Sequence, residues 1–135
     1  MSPTFEKLNL KLQREIVVIN APTSFESELA TLKDVVVLRD AKQAKAVHFA
    51  IAFATKQAEV DVLSKALAAK AEGDALIWFA YPKGTSKKYK CEFNRDTGWD
   101  VLRAAGFDTV RAVAIDEDWS ALRFRRVTFI RVAGK

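Results

Sequence analysis

The chain has 135 residues, half of them hydrophobic, and carries 22 Lys and Arg against 17 Asp and Glu. That length fits one domain, 1–135, burying roughly two-thirds of its unfolded surface, and the composition is that of a globular protein, far from a disordered one. The longest apolar runs, 46–54 and 75–81, are far shorter than the ~20 residues of a membrane helix, and the single cysteine excludes an internal disulfide. A soluble cytoplasmic protein with no membrane partner is expected.

Ser2-Pro3 is an N-cap followed by proline at the first helical position, and predicts a short helix ending near Leu10. Glu15 to Asn20 is a β-branched run that reads as a buried strand, stopped by Pro22. Thr23 and Glu26 have capping-box spacing ahead of a helical stripe of Phe25, Leu29 and Leu32. Val35 to Leu38 predicts a second strand, Ala41 to Lys45 a turn, and Val47 to Ala54 a third strand. Thr55 is a candidate cap for a helix over 56–72, whose Val60, Leu63, Leu67 and Ala71 share one face, with Gly73 as a left-handed C-cap. "ALIWFAY", 75–81, has no polar face and belongs in the middle of a parallel sheet. After a lysine-rich stretch, a helix is expected from Asn94 or Asp96 to Gly106, then a strand over 109–116. A last strand, Ser120 to Val132, alternates at its start and is too close to its predecessor for a helical crossover, so the two pair antiparallel.

These elements predict an α/β fold: a three-layer, Rossmann-like, mostly parallel six-stranded sheet in the order 2-1-3-4-6-5, with the last strand antiparallel. The arrangement resembles the methyltransferase variant of the Rossmann fold, whose sheet also ends in an antiparallel hairpin. The first strand, however, runs into Asn20-Ala-Pro-Thr-Ser-Phe25, where a dinucleotide or S-adenosylmethionine site wants a glycine-rich turn. Arg39-Asp40 does follow the second strand, where nucleotide-binding folds place a ribose-binding acid.

The positive excess is confined to one end: residues 1–80 hold ten basic and ten acidic residues, whereas 81–135 hold twelve and seven. Much of it lies in "YPKGTSKKYKCEFNRD", 81–96. This stretch follows the fourth strand and so falls on the carboxyl rim of the sheet, where open α/β folds bind ligands. Only Gly84 stands where a P-loop requires two glycines. A looser anion site is open to it: Lys83 and Lys87 as charges, Ser86 as a hydroxyl donor, Arg95, and a helix N-terminus near Asn94. The alternative is a solvated loop. Asp116 to Arg123 forms a tight turn on the same rim, in which Asp116 or Asp118 caps the turn and pairs with Arg123 while Trp119 covers the core. Tyr81, Lys83, Ser86, Lys87, Arg95, Asp116, Trp119 and Arg123 are the resulting candidate ligand-binding residues.

A nucleic-acid surface is the competing partner. Aromatics (Tyr89, Phe93, Trp99, Trp119, Phe124) are interleaved with Arg123, Arg125, Arg126 and Arg131, although no known nucleic-acid motif is present. Catalysis finds little support. Cys91 has no basic partner to activate it, the one histidine, His48, is placed away from the rim, and Asp116-Glu-Asp118 is too sparse for a metal cage, so no cofactor or metal is implied.

Tyr81-Pro82-Lys83 and the run from Asp116 through Phe124, read as Asp-x-x-Trp-Ser-x-Leu-Arg-Phe, resemble a small bacterial family catalogued as a domain of unknown function. The resemblance spans nearly the whole chain and implies a stand-alone bacterial domain, with no catalytic residues to carry over. The expected function is a non-enzymatic or degenerate domain binding a small anionic ligand or partner at the rim. A divergent methyltransferase-like transferase and a nucleic-acid-associated module are the alternatives.

Overall fold

Runs that are apolar on both sides form the middle of a sheet, and helices close over each face. The computed structural model describes residues 2–133, and of 131–133 the backbone only, so Arg131 lies outside the described side chains. In chain order the elements are α1 (Pro3–Lys7), β1 (Glu15–Ile19), α2 (Thr23–Leu29), β2 (Val36–Leu38), a 3₁₀ turn (Ala41–Gln43), β3 (Val47–Phe53), α3 (Gln57–Lys70), β4 (Ala71–Pro82), α4 (Asp100–Ala104), β5 (Phe107–Ala114), β6 (Trp119–Arg126) and α5 (Val127–Ala133).

The strand order is β2-β1-β3-β4-β6-β5, as expected. β1 pairs in parallel with β2 and β3, and β3 with β4, while β6 runs antiparallel to both β4 and β5. Alternate residues of each strand serve opposite cores. Ile16, Val18, Phe49, Ile51 and Trp78 pack with Phe5 and Leu8 of the α1 region and with Phe25 and Leu29 of α2. Val17, Ala50, Ala52, Ile77 and Phe79 pack with Val60 and Leu67 of α3 and with Leu102 of α4. The fully buried Trp78 donates its indole N–H to the carbonyl of Leu8 at 3.0 Å, fixing the end of α1 to the sheet.

Several local expectations are corrected. Pro22, not Thr23, holds the N-cap position of α2, and no side chain caps it. Glu26 instead accepts hydrogen bonds from Nη1 and Nη2 of Arg39, at 2.8 and 2.9 Å, because a bidentate ionic pair outweighs one amide bond. At α3 the cap residue is Lys56, and the Glu59 carboxylate accepts the backbone N–H of Thr55 and Lys56 at 2.9 and 3.1 Å. Gly73, at φ +58°, lies within β4, where the register with β3 shifts, and not at the end of α3. The helix expected from Asn94 begins only at Asp100. Asn94 Oδ1 accepts the amides of Asp96 and Thr97 at 2.8 and 3.0 Å, a local turn that competes with helix.

The strand expected to continue to Val132 stops at Arg126. Its last residue faces Phe107, the first of β5, and Val127 N–H already reaches back to Gly106 O at 2.9 Å. Past that point the backbone has no neighbouring strand, so it satisfies its own polar groups as α5.

Candidate functional site

The carboxyl ends of β1, β3 and β4 share one rim with the 115–118 turn, because β6 starts beside the end of β4: Pro82 faces Trp119. The lysine-rich loop folds onto this rim. Lys83 N–H donates to Asp118 O at 2.8 Å, and the Ser86 hydroxyl donates to the Asp118 carboxylate at 2.8 Å. Further along, Glu92 N–H donates to Thr55 O at 3.0 Å while its carboxylate accepts Gln57 N–H at 3.0 Å. The Gln57 side-chain amide donates to Gly98 O at 2.8 Å, and the Trp99 indole donates to the carbonyls of Asn94 and Arg95 at 3.0 and 3.1 Å. Glu92 and Glu59 together occupy the amino end of α3 with carboxylates of the chain itself, so the anion a helix terminus attracts is already in place there.

The eight expected residues do not form one site. Tyr81, Lys83 and Ser86 line a cavity of about 500 Å³ together with Pro82, Gly84, Tyr89, Lys90, Cys91, Phe93 and Asn94. Lys87 is exposed beside it. Arg95 lines a separate opening with Arg111 against β5. Asp116 is spent on its own turn, accepting the amides of Asp118 and Trp119 at 2.8 and 2.9 Å. Trp119 packs edge-on against Phe53 at 5.2 Å, on the sheet face opposite Tyr81, and does cover the end of the core. Arg123 faces Trp78 in mid-strand, and burial lowers its pKa. It pairs with neither Asp116 nor Asp118, which the sequence had suggested. The helix N-terminus proposed near Asn94 is not there.

The chemistry of the remaining candidates is muted. Burial pushes up the Cys91 thiol and the Tyr81 phenol, which keeps both protonated near neutrality. His48 is exposed on β3, 4.0 Å from Glu72. Among the described residues no three His, Cys, Asp or Glu side chains converge as metal ligands do. Of the arginine series, Arg125 is engaged on Asp74, and Arg126 on Ala71 O and over the Phe107 ring, while the buried Arg123 Nε has no partner among the described residues. No helix of the described residues is long and apolar enough to cross a membrane.

A second cleft was not anticipated as such. It measures about 480 Å³ and opens between the ends of β1 and β2 and the flank of α3, lined by Ile19, Asn20, Arg39, Asp40, Ala58, Glu59, Val62 and Leu63. Asp40 and the turn after β1 were visible in the sequence. The α3 wall was not, because Val62 looks like an ordinary exposed helix position; it is 66% exposed and faces this opening. The cleft adjoins the point where the connections from β1 and β3 run in opposite directions, the place where open α/β sheets bind ligands.

No protein-family model and no curated protein matches this chain. Solved structures do. A SAM dependent methyltransferase from Aquifex aeolicus superposes with a TM-score of 0.62 at 13% identity, over 91% of this chain and 87% of the other. The N-methyltransferase NodS from Bradyrhizobium japonicum gives 0.56 at 12%, over 91% and 93%. Magnesium protoporphyrin IX methyltransferase from Synechocystis gives 0.55 at 11%, over 91% and 74%. The chain has the Rossmann-like methyltransferase fold. At such identities the likeness is one of fold alone.

Proposed function

We propose that this chain is a divergent methyltransferase-like domain that binds a nucleoside-bearing small molecule in the β1–β2–α3 cleft. The carrying observation is the cleft itself: an apolar wall of Ile19, Ala58, Val62 and Leu63 facing Asp40 at the end of β2. An apolar shelf suits a base, and an acid at that strand end suits a ribose hydroxyl. Asp40 uses Oδ1 to cap the 3₁₀ turn at Lys42 N–H, 3.0 Å, and Oδ2 accepts no hydrogen bond from the described residues. Structural neighbours include proteins named as SAM dependent or solved with bound SAM, which favours this reading over a purely non-enzymatic one.

The fit to S-adenosylmethionine is partial. Asn20, at φ +58°, supplies the left-handed residue the turn after β1 needs. Its side chain donates to Phe53 O at 3.5 Å, and Ala21 and Pro22 follow where glycines would let a ligand approach the backbone. The nucleoside half fits and the amino-acid half does not, so no transfer step is built on it.

Calorimetric titration and thermal shift with adenosine, S-adenosylhomocysteine and S-adenosylmethionine test this. At a hundredfold excess over Kd a ligand stabilises by about 2.7 kcal/mol, or roughly 5–10 °C in Tm at this size. Val62→Asp is expected to abolish the shift and leave the unliganded Tm unchanged. No shift with any of the three sinks the proposal.

A second reading, an anionic ligand at the lysine loop, is favoured by one observation. Lys83 and Lys90 line the 500 Å³ cavity with no carboxylate among its lining residues.

A further inference from the structure

We propose that the lysine-loop cavity is a site for an aromatic anion, a planar ring carrying a phosphate or carboxylate. This deepens the anionic reading above and rests on it. The first support is the donor set. Lys83 and Lys90 supply ammonium groups. Asn94 uses its side-chain oxygen on Asp96, Thr97 N–H and the Thr97 hydroxyl, so its amide NH₂ is left to donate. Tyr81 is 8% exposed, lines the cavity, and its hydroxyl makes no hydrogen bond with the described residues. That hydroxyl is not itself fully buried, so it is free to donate to an anion's oxygen. Ser86 is not part of the set, since its hydrogen is committed to Asp118.

The second support concerns the ring. The cavity, about 500 Å³, is far larger than an inorganic anion, and Tyr81, Tyr89 and Phe93 supply aromatic lining. Tyr81 and Phe93 lie 6.0 Å apart centre to centre and are held by the fully buried Trp99 at 6.0 and 5.1 Å. Tyr89 is held by Trp119 at 4.9 Å. Aromatic walls fixed by a second rank of aromatics present rigid edges and faces to a planar guest at little cost in ordering.

The test is calorimetric titration of the full chain at constant ionic strength with phenyl phosphate, benzoate and inorganic phosphate. Phenyl phosphate and benzoate are expected to bind, each at least about tenfold tighter than inorganic phosphate. Tyr81→Phe, which keeps the ring, should weaken phenyl phosphate about fivefold to tenfold. Lys83→Ala with Lys90→Ala should abolish binding while circular dichroism and unliganded Tm stay unchanged. Inorganic phosphate binding as tightly as phenyl phosphate overturns the aromatic assignment and leaves the anionic reading standing. Binding of none of the three overturns both. Full binding by the double lysine variant overturns the location.

Discussion

The Ser86 hydroxyl donates to the Asp118 carboxylate at 2.8 Å while accepting the amides of Lys88 and Tyr89, both at 3.3 Å. One side chain therefore ties the tip of the lysine loop to the β5–β6 turn and shapes the loop's own backbone. Ser86→Ala is expected to cost about 1–2 kcal/mol and leave the Asp118 carboxylate short of a donor. Hydrogen exchange should show the loss as faster exchange at Lys88 and Tyr89, with β3 and β4 unchanged.

Gly98 and Gly84 make a contrasting pair. Gly98 has φ +97°, and a Cβ there would meet Gln57 Oε1 at 2.6 Å and the Phe93 Cβ at 2.7 Å. Gly98→Ala is expected to destabilise by about 2–4 kcal/mol, from left-handed strain plus overpacking. Gly84 has nothing within 4 Å of a built Cβ. Gly84→Ala is expected to be neutral or to stabilise by about 0.5 kcal/mol through the unfolded chain. Urea denaturation of the two variants checks both signs.

Trp99 is fully buried, bonds two carbonyls through its indole, and packs against Phe79, Phe93 and Phe124 at 5.7, 5.1 and 5.1 Å. Trp99→Phe keeps most of the apolar volume and strands two carbonyls. A loss of about 1–3 kcal/mol is expected, with chemical denaturation as the measurement.

The Asp74 carboxylate accepts hydrogen bonds from Nε and Nη2 of Arg125, at 2.8 and 2.6 Å, and this pair holds the Asp74 carboxyl below its ordinary value. A depressed folded-state value means the unfolded chain binds the proton more readily. The stabilisation is therefore present above the ordinary carboxyl range and disappears as pH falls through the lowered value. The side chains are 28% and 34% exposed, so solvent screening limits the effect to about 0.5–1 kcal/mol. Asp74→Asn should lose that amount at pH 7, and its denaturation midpoint should converge with that of the parent in acid.

What could be read from the residues was what depends on short-range pattern. The double-sided apolar runs of β3 and β4 announce a covered parallel sheet, and the short link before Trp119 announces a hairpin, which together dictate the order of the strands. What could not be read depends on choices between partners. Glu26 has a capping position within reach and binds Arg39 thirteen residues away. Glu92 settles on Gln57 across thirty-five residues, a contact with no local signature. The face on which Arg123 sits follows from alternation, but its height along the sheet follows from the register that sets Ser120 against Ala114, and that height takes it away from the rim.

The loop over 83–99 is stitched down at Asp118, at Thr55 and Gln57, and through Trp99. Its freedom is surrendered while the chain folds and not when a guest arrives. Association at the openings beside it should accordingly behave as simple docking to a rigid receptor: one kinetic phase, a rate proportional to guest concentration, and no slow closing step.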